Sequence, residues 1–223
     1  MSETNTAPVL REVGADGVAR LQLNSPHIAN GLNVDTLKAL HAEVLACHAD
    51  PAVKVVLLSG AGRNFCAGGD VHTFESKGEA LPDYLREATA WLQLATAALF
   101  QLRVPVVTAV QGFAAGGGGL GLVCASDIVV AARSAKFFSG AVRVGMAPDG
   151  GSSVTLPQLV GLRQALRILL TNPTLSAQEA ADIGQHSLNL AERRPNYQLQ
   201  TFKMSGPVYW KTFSAKRHSQ NQE

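Results

Sequence analysis

The pattern of apolar and polar positions divides most of the chain into strands and helices. The segment VARLQLN alternates the two kinds of residue, which predicts a strand with one buried face. Three continuous apolar runs, VKVVLLSG, VPVVTAVQG and DIVVAAR, predict strands buried on both faces. Apolar residues at helical spacing cover residues 33–50, 83–102 and 156–171. Because the two kinds of element alternate along the chain, the pattern predicts a layered α/β domain.

Two segments carry residues that favour the start of a helix. Asn33 or Asp35 can accept a hydrogen bond from the first free N–H groups of the helix over residues 33–50. Ser176 and Glu179, in TLSAQEAADIG, have the spacing of a capping box. A further helix is therefore expected to begin there.

The charges are unevenly distributed between the body of the chain and its end. The whole chain has a net charge of +2 with 16% charged residues, which is too balanced for a dedicated nucleic-acid-binding protein. Residues 1–184 carry 13 Lys/Arg and 15 Asp/Glu, whereas residues 185–223 carry 6 and 2. The second segment is rich in Gln, Asn, Ser and Thr and has no sustained period. We therefore predict a folded core over 1–184 and an atypical polar, basic tail over 185–223.

Cysteine usage and hydropathy indicate the cellular setting. The chain has three cysteines without CxxC spacing, which fits free thiols in the reducing cytoplasm. The first ten residues lack the basic and apolar regions of a signal peptide. Val104–Ser126 contains no charge, but Pro105, Gln111 and its glycines argue against a membrane helix. A cytoplasmic protein without a membrane partner is expected.

The glycine-rich stretch GFAAGGGGLGL, which begins at Gly112, permits three interpretations. Gly116, Gly118 and Gly121 match a dinucleotide fingerprint, but the helix they would open is too short for a nucleotide-binding crossover. Tight helix–sheet packing without a ligand is the second interpretation. The third is an oxyanion site, because a second glycine turn, FCAGGD, also follows a buried strand. Two such turns at the ends of neighbouring strands can direct two N–H groups at one oxygen.

Four segments together resemble the crotonase family, which comprises the enoyl-CoA hydratases and isomerases. They are NSPHIANGLN, VKVVLLSGAGRNFCAGGDV, VPVVTAVQGFAAGGGGLGLVCASDIVVAARSAKF and VGMAPDGGSSVTLPQLVGLRQALRILLTNPTLSAQEAADIG, in the family's order within residues 9–184. The resemblance implies a spiral of β-β-α turns, assembled as a homotrimer or a dimer of trimers. It also implies an acyl-CoA thioester as the substrate, with no metal and no separate cofactor.

The resemblance assigns backbone donors and a CoA site. Gly69 is similar to the first oxyanion donor, and the second is Gly117 or Gly118, depending on the end from which the glycine run is aligned. The loop that lines the CoA adenine and pantetheine corresponds here to Ala67, Gly69, Asp70, Val71 and His72. From the residues alone, Asp70 also suits a cap of the next turn, and His72 a solvated loop position.

The positions of the family's catalytic groups separate two reactions. The two glutamates of a hydratase align with Leu120 or Gly121 and with Ala141, none of which can transfer a proton. Asp149, after Pro148, is similar to the proton-shuttling acid of enoyl-CoA isomerases. PDGG also suits a simple turn, and the aromatic-acid dehalogenases, which have a nucleophilic Asp there, use a Trp near the position of Ala141. We therefore predict an isomerase acting on an enoyl-CoA or ring-bearing acyl-CoA.

Two alternatives remain beside the isomerase. The first is an enoyl-CoA hydratase of fatty-acid oxidation. The second is a catalytically weak acyl-CoA-binding protein, because residues 185–223 do not resemble the C-terminal helices of the family. Turnover of an enoyl-CoA and the identity of its product distinguish the three possibilities.

Overall fold

The computed structural model describes residues 6–184 and 188–190, and this part of the chain contains nine strands and seven α-helices. The strands are β1 (Val9–Val13), β2 (Val18–Leu23), β3 (Val55–Gly60), β4 (Val106–Val110), β5 (Phe113–Ala115), β6 (Ile128–Ala132), β7 (Lys136–Phe138), β8 (Leu175–Ser176) and β9 (Leu188–Leu190). The helices are α1 (Val34–Ala49), α2 (Val71–Ser76), α3 (Leu81–Phe100), α4 (Gly116–Cys124), α5 (Ser152–Val160), α6 (Leu162–Thr171) and α7 (Ala177–Asp182). The layered α/β class predicted from the pattern is confirmed.

The strands form two sheets that are linked by loops. The larger sheet has the order β1-β2-β3-β4-β6-β9, in which β1 pairs antiparallel with β2 and the other pairs are parallel. The smaller sheet has the order β5-β7-β8. Isolated parallel bridges join Leu32 to Gly69 and Cys66 to Ala114. The loop after β3 is therefore paired with the chain on both sides, although it lies outside both sheets.

The burial of the strands follows the apolar pattern. In β2, Ala19, Leu21 and Leu23 are at most 1% exposed and alternate with half-buried residues. All five residues of β4 are buried, as expected of a strand covered on both faces. Helix α1 packs against β1 and β2 of the larger sheet, and α3 packs against α1. The sheet thus holds the loops at its carboxyl ends on a rigid base.

The helix starts follow the capping residues, but one predicted helix is wrong. The Asn33 side chain accepts a hydrogen bond from the Thr36 N–H at 2.9 Å, and Ser176 and Glu179 form the predicted capping box. The single helix expected over residues 156–171 is two helices, α5 and α6. They are separated at Gly161, whose φ of 78° and ψ of 152° no helix interior adopts.

The uncharged span Val104–Ser126 contains β4, β5 and α4 rather than one long helix. In the part of the chain that the structure describes, no helix has the length and hydropathy needed to cross a membrane. Most of the predicted tail, residues 185–223, lies outside the described residues. The exception is β9, which pairs in parallel with β6. The boundary at residue 184 stays a prediction.

Candidate active site

Two glycine-containing loops meet beside the carboxyl ends of β3 and β5. Cys66 donates its backbone N–H to the Phe113 carbonyl at 3.0 Å and accepts the Ala115 N–H at 2.9 Å. Gly68 has a φ of 92°, and a Cβ there would lie 2.8 Å from the α-carbon of Gly116. Only glycine therefore allows the two loops to approach this closely.

Residues of both loops line one cavity of about 210 Å³. Gly117 and Gly118 belong to the first turn of α4, where N–H groups have no partner within the helix. No side chain caps this helix start. Among the described residues, no backbone oxygen accepts the Gly69 N–H either. A Cβ on Gly116 would lie 3.6 Å from the Gly69 nitrogen, so Gly69 lies next to the first residue of α4.

The carboxylate of Asp149 faces the same cavity from the turn before α5. Its Oδ1 lies 1.4 Å from the position that a Cβ on Gly117 would occupy, so the carboxylate fills the space left by the missing side chain. The turn itself uses the backbone: the Ser152 N–H and Oγ donate to the Asp149 carbonyl at 3.1 and 2.7 Å. These hydrogen bonds of the turn therefore do not use the carboxylate oxygens.

Burial raises the pKa of Asp149 above its ordinary value of 3.8, and a hydrogen bond from its own backbone N–H opposes the shift. Among the described residues that line the cavity, Asp149 is the single carboxylic acid. A half-buried acid with a raised pKa that is not held by another side chain is suited to accept and return a proton.

The positions of the hydratase glutamates offer no second acid. Ala141 lines the cavity, but Leu120 is fully buried in the hydrophobic core. A Cβ on Gly121 would lie 2.5 Å from the Gly150 carbonyl oxygen, so this position has no room for a glutamate. The two-carboxylate arrangement that places a water molecule is therefore absent from the described part of the site.

The structure divides the residues predicted to bind CoA into two groups. Ala67, Gly69 and Val71 line the cavity, whereas Asp70 and His72 do not. The Asp70 carboxylate caps α2: it accepts the Thr73 N–H at 3.3 Å and the Thr73 hydroxyl at 2.5 Å. The His72 side chain is 91% exposed. Both geometries match the simpler interpretations given for these two residues.

Several further lining residues were not identified as site residues from the sequence, among them Phe74, Phe138, Arg143 and Met146. These four come from α2, β7 and the turn that precedes Asp149, and no spacing in the chain links them. The Phe74 ring lies over Gly69, with its Cζ 2.6 Å from the position of a Cβ there. In the sequence, only the proximity of these residues to the recognised motifs could have indicated that they line the site.

Other reactive groups are poorly placed for chemistry. Cys66 is fully buried, and burial raises its pKa to about 12, so it does not supply a thiolate. Cys47 and Cys124 are also buried free thiols. The described residues contain no group of three His, Cys, Asp or Glu side chains arranged to hold a metal ion.

Known proteins share these motifs over most of the chain. A sequence model of the enoyl-CoA hydratase/isomerase family matches residues 14–191. The 1,2-epoxyphenylacetyl-CoA isomerase of Escherichia coli is 36% identical over 174 residues, which are 75% of this chain and 64% of that protein. The crotonyl-CoA hydratase of Syntrophomonas wolfei is 37% identical over 169 residues, 75% of this chain and 63% of that protein. The chain thus spans about 64% of the length of such curated relatives.

Solved structures agree with the sequence match. An enoyl-CoA hydratase from Mycobacterium avium subspecies paratuberculosis superposes with a TM-score of 0.82 at 29% identity, over 99% of this chain and 88% of that chain. One from Bacillus anthracis gives a TM-score of 0.77 at 28% identity, over 82% of this chain and 70% of that chain. The predicted crotonase-like fold is confirmed. The chain belongs to the enoyl-CoA hydratase/isomerase family.

Proposed function

We propose that this protein is an enzyme that shifts a double bond within the acyl group of an enoyl-CoA or a ring-bearing acyl-CoA. The observation that carries the proposal is the Asp149 carboxylate, which lies against Gly117 as the single acid of the cavity in the described part of the chain. The CoA thioester is the substrate, and no other cofactor is proposed. The CoA moiety is proposed to lie along Ala67, Gly69 and Val71 in the cavity and to extend past Asp70 and His72, which lie outside its lining.

The mechanism begins with polarisation of the thioester. Its carbonyl oxygen accepts hydrogen bonds from the N–H of Gly69 and of Gly117 or Gly118. The Asp149 carboxylate then removes a proton from C2 of a 3-enoyl-CoA, and the electron pair of that bond forms a dienolate. Asp149 returns the same proton to C4, which leaves the double bond between C2 and C3.

The two kinds of group contribute in different ways. Each N–H donor stabilises the negative charge that develops on oxygen by about 3–4 kcal/mol relative to its removal. The positioned acid–base group accelerates the reaction by about 10²–10⁴. The apolar side chains that line the cavity keep water away from the dienolate, which would otherwise be protonated from solvent.

Hydration of an enoyl-CoA is the second candidate function, because the relatives of this chain include hydratases as well as isomerases. The names of the similar proteins include a crotonyl-CoA hydratase and a 1,2-epoxyphenylacetyl-CoA isomerase. Adding water across a double bond needs a group that activates the water and a group that protonates carbon, and the cavity offers one carboxylate among the described residues. The presence of one such carboxylate rather than two favours the isomerase over the hydratase.

The test is a product analysis with purified protein. The protein is incubated with 3-hexenoyl-CoA and, separately, with 2-hexenoyl-CoA, and the products are separated by liquid chromatography with mass detection. The proposal predicts an isobaric, conjugated product from the first substrate. A product heavier by one water from either substrate, without a double-bond shift, identifies a hydratase. Tight binding with no turnover of either identifies the weak acyl-CoA-binding protein.

We also propose a trimer or dimer of trimers located in the cytoplasm. Helices α5 and α6 expose a group of large apolar side chains to solvent, which is unfavourable: Val154, Leu159, Leu162, Leu166 and Leu170. Contact with a second copy of the chain would cover them. The three free thiols support a reducing compartment.

A further inference from the structure

The cavity that contains Asp149 also contains one basic side chain. Arg143 lies in the 3-10 turn Ala141–Val144, which forms one wall. The other described residues of the lining are apolar, glycine or threonine. Arg143 and Asp149 are therefore the two charged groups that this part of the chain presents to a ligand in the cavity.

The guanidinium of Arg143 uses few of its hydrogen-bond donors within the described residues. Its Cζ lies 5.0 Å from the centroid of the Phe138 ring, and its Nη2 donates to the Asn172 carbonyl at 3.2 Å. No acidic side chain of the described residues forms an ion pair with it. Because a guanidinium carries five N–H donors in a planar fork, most of them remain available to a ligand.

The turn that carries Arg143 is fixed in place. The Asn172 side-chain Oδ1 accepts the Gly140 N–H at 2.8 Å, while the carbonyl of the same residue accepts from Arg143. The Arg143 N–H donates to the Gly140 carbonyl at 3.0 Å. Stacking on Phe138 adds a further contact. The arginine is thus held at a defined place on the wall.

Arg143 and Asp149 do not neutralise each other. No ion pair joins their side chains, and the pKa of Asp149 reflects burial and its own backbone N–H without a contribution from the Arg143 charge. A substrate that bridges the cavity therefore meets the proton-transferring acid at one point and an unpaired cation at another.

We propose that Arg143 binds a carboxylate at the distal end of the acyl group, so that the site selects acyl-CoAs that carry a second carboxyl group. A guanidinium donates two parallel hydrogen bonds to a carboxylate, a geometry that an ammonium group cannot match. The proposal rests on the proposed function in one respect, namely that the acyl group occupies this cavity. An alternative source of anionic oxygen is the phosphates of CoA itself, and the test separates the two.

The test measures the binding of saturated acyl-CoAs, which cannot react. Isothermal titration compares three pairs of equal chain length: glutaryl-CoA with pentanoyl-CoA, adipoyl-CoA with hexanoyl-CoA, and suberoyl-CoA with octanoyl-CoA. At least one carboxylate-ended member is expected to bind about tenfold or more tightly than its methyl-ended partner, since hydrogen bonds to charged groups contribute that much. Arg143→Met is expected to bring the ratio of the two Kd values, methyl-ended over carboxylate-ended, close to one. Arg143→Lys is expected to give an intermediate ratio.

The control is Arg11→Met, which removes a positive charge from the ion pair between Arg11 and Glu43, outside the cavity lining. It is expected to keep the wild-type ratio. A wild-type ratio of one or less in all three pairs overturns the proposal, and so does an unchanged ratio in Arg143→Met. Equal weakening of both members, together with weaker binding of free CoA, also overturns it by assigning Arg143 to the CoA phosphates.

The binding test is separable from the test of the reaction. A preserved preference for the carboxylate-ended ligands, with no double-bond shift in any substrate, rejects the isomerase and retains Arg143 as the carboxylate-binding residue. Absence of any acyl-CoA binding rejects both. Arg143 is exposed, so its substitution is not expected to disturb folding.

Discussion

Gly117 leaves the space in which the Asp149 carboxylate lies. An added Cβ at this position would overlap Asp149 Oδ1, at a separation of 1.4 Å. We therefore expect Gly117→Ala to displace the carboxylate and to lower kcat for double-bond isomerisation about 10²-fold, the usual cost of misplacing a catalytic group by about 1 Å. Steady-state kinetics with a 3-enoyl-CoA measures this effect.

The control for this substitution is Gly14→Ala. A Cβ on Gly14 meets side-chain atoms of Asp16 and Arg20, which can move aside. Wild-type kcat is expected in that variant. If Gly117→Ala also keeps the wild-type kcat, the contact between Gly117 and Asp149 has no part in the reaction.

Gly69 allows its backbone donor to be tested apart from its lack of a side chain. Both Gly69→Ala and Gly69→Pro place a Cβ against the Phe74 ring, but only proline removes the N–H. Loss of one oxyanion donor is expected to lower kcat about 10²–10³-fold further in the proline variant than in the alanine variant. Equal kcat values in the two variants would remove Gly69 from the oxyanion site.

At the residue scale, the motifs identified candidate catalytic residues but not how those residues meet. Gly69, Gly117, Gly118 and Asp149 were all identified from motifs, and all line one cavity. The contact between Gly117 and Asp149 was not predictable, because it joins residues far apart in the chain. Arg143 was missed for a related reason: its setting depends on Phe138 and Asn172, which no local pattern connects to it.

At the scale of single elements, α2 depends on its cap. None of its six residues is fully buried, and the Asp70 side chain accepts the otherwise free N–H of Thr73 in its first turn. Loss of a cap costs about 1 kcal/mol, a large effect for so short a helix. Because Val71 and Phe74 of α2 line the cavity, weakening α2 also weakens the ligand site.

Two substitutions of Asp70 separate capping from charge. Asp70→Asn keeps a good capping residue, whereas Asp70→Ala has none. We expect the Kd for a saturated acyl-CoA to rise several-fold in the alanine variant and to stay near the wild-type value in the asparagine variant, as measured by isothermal titration. If both variants weaken binding equally, the negative charge of Asp70 contacts the ligand and capping is not its main role.

Element boundaries were predictable where a capping side chain marks them. Asn33 and Ser176 begin helices at the expected places because each offers an oxygen to the free N–H groups. The division of residues 156–171 into α5 and α6 was missed, although Gly161 stands at the break. A glycine within a helical spacing of apolar residues is compatible with a continuous helix. Tertiary packing decides whether one helix or two are formed.

At the scale of the whole molecule, the face of α6 predicts self-association. Leu162, Leu166 and Leu170 recur every four residues and are 63%, 45% and 63% exposed. We expect light scattering coupled to size-exclusion chromatography to show a trimer or a dimer of trimers, and Leu166→Glu to shift the protein towards monomer. Leu45→Glu, at an exposed leucine of α1, is the matched control. Unchanged mass in Leu166→Glu would exclude this face from the assembly.

The overall architecture was predictable because the strand and helix periods are local properties of the sequence. The pairing of the sheets was not, since it depends on which distant segments meet; the short strands β5, β7 and β8 were not predicted at all. The crotonase-like fold was reached through the four motifs, and the family match over residues 14–191 confirms it.

In the proposed reaction, Asp149 carries the proton between two carbons of the acyl chain. The same carboxylate also governs the pH dependence of the reaction. It must be ionised to accept the proton, and burial raises its pKa above 3.8. The rate is therefore expected to fall as the pH is lowered through that raised pKa, at a higher pH than for an exposed aspartate.

The most direct measurement compares the wild type with Asp149→Asn in the conversion of a 3-enoyl-CoA to its conjugated isomer, with the Kd for a saturated acyl-CoA recorded in parallel. Asparagine keeps the size of the side chain but cannot accept and return a proton. We predict that kcat falls by at least about 10²-fold, while the Kd stays within a few-fold of the wild type. Wild-type kcat in Asp149→Asn would contradict the account, because another group would then be moving the proton.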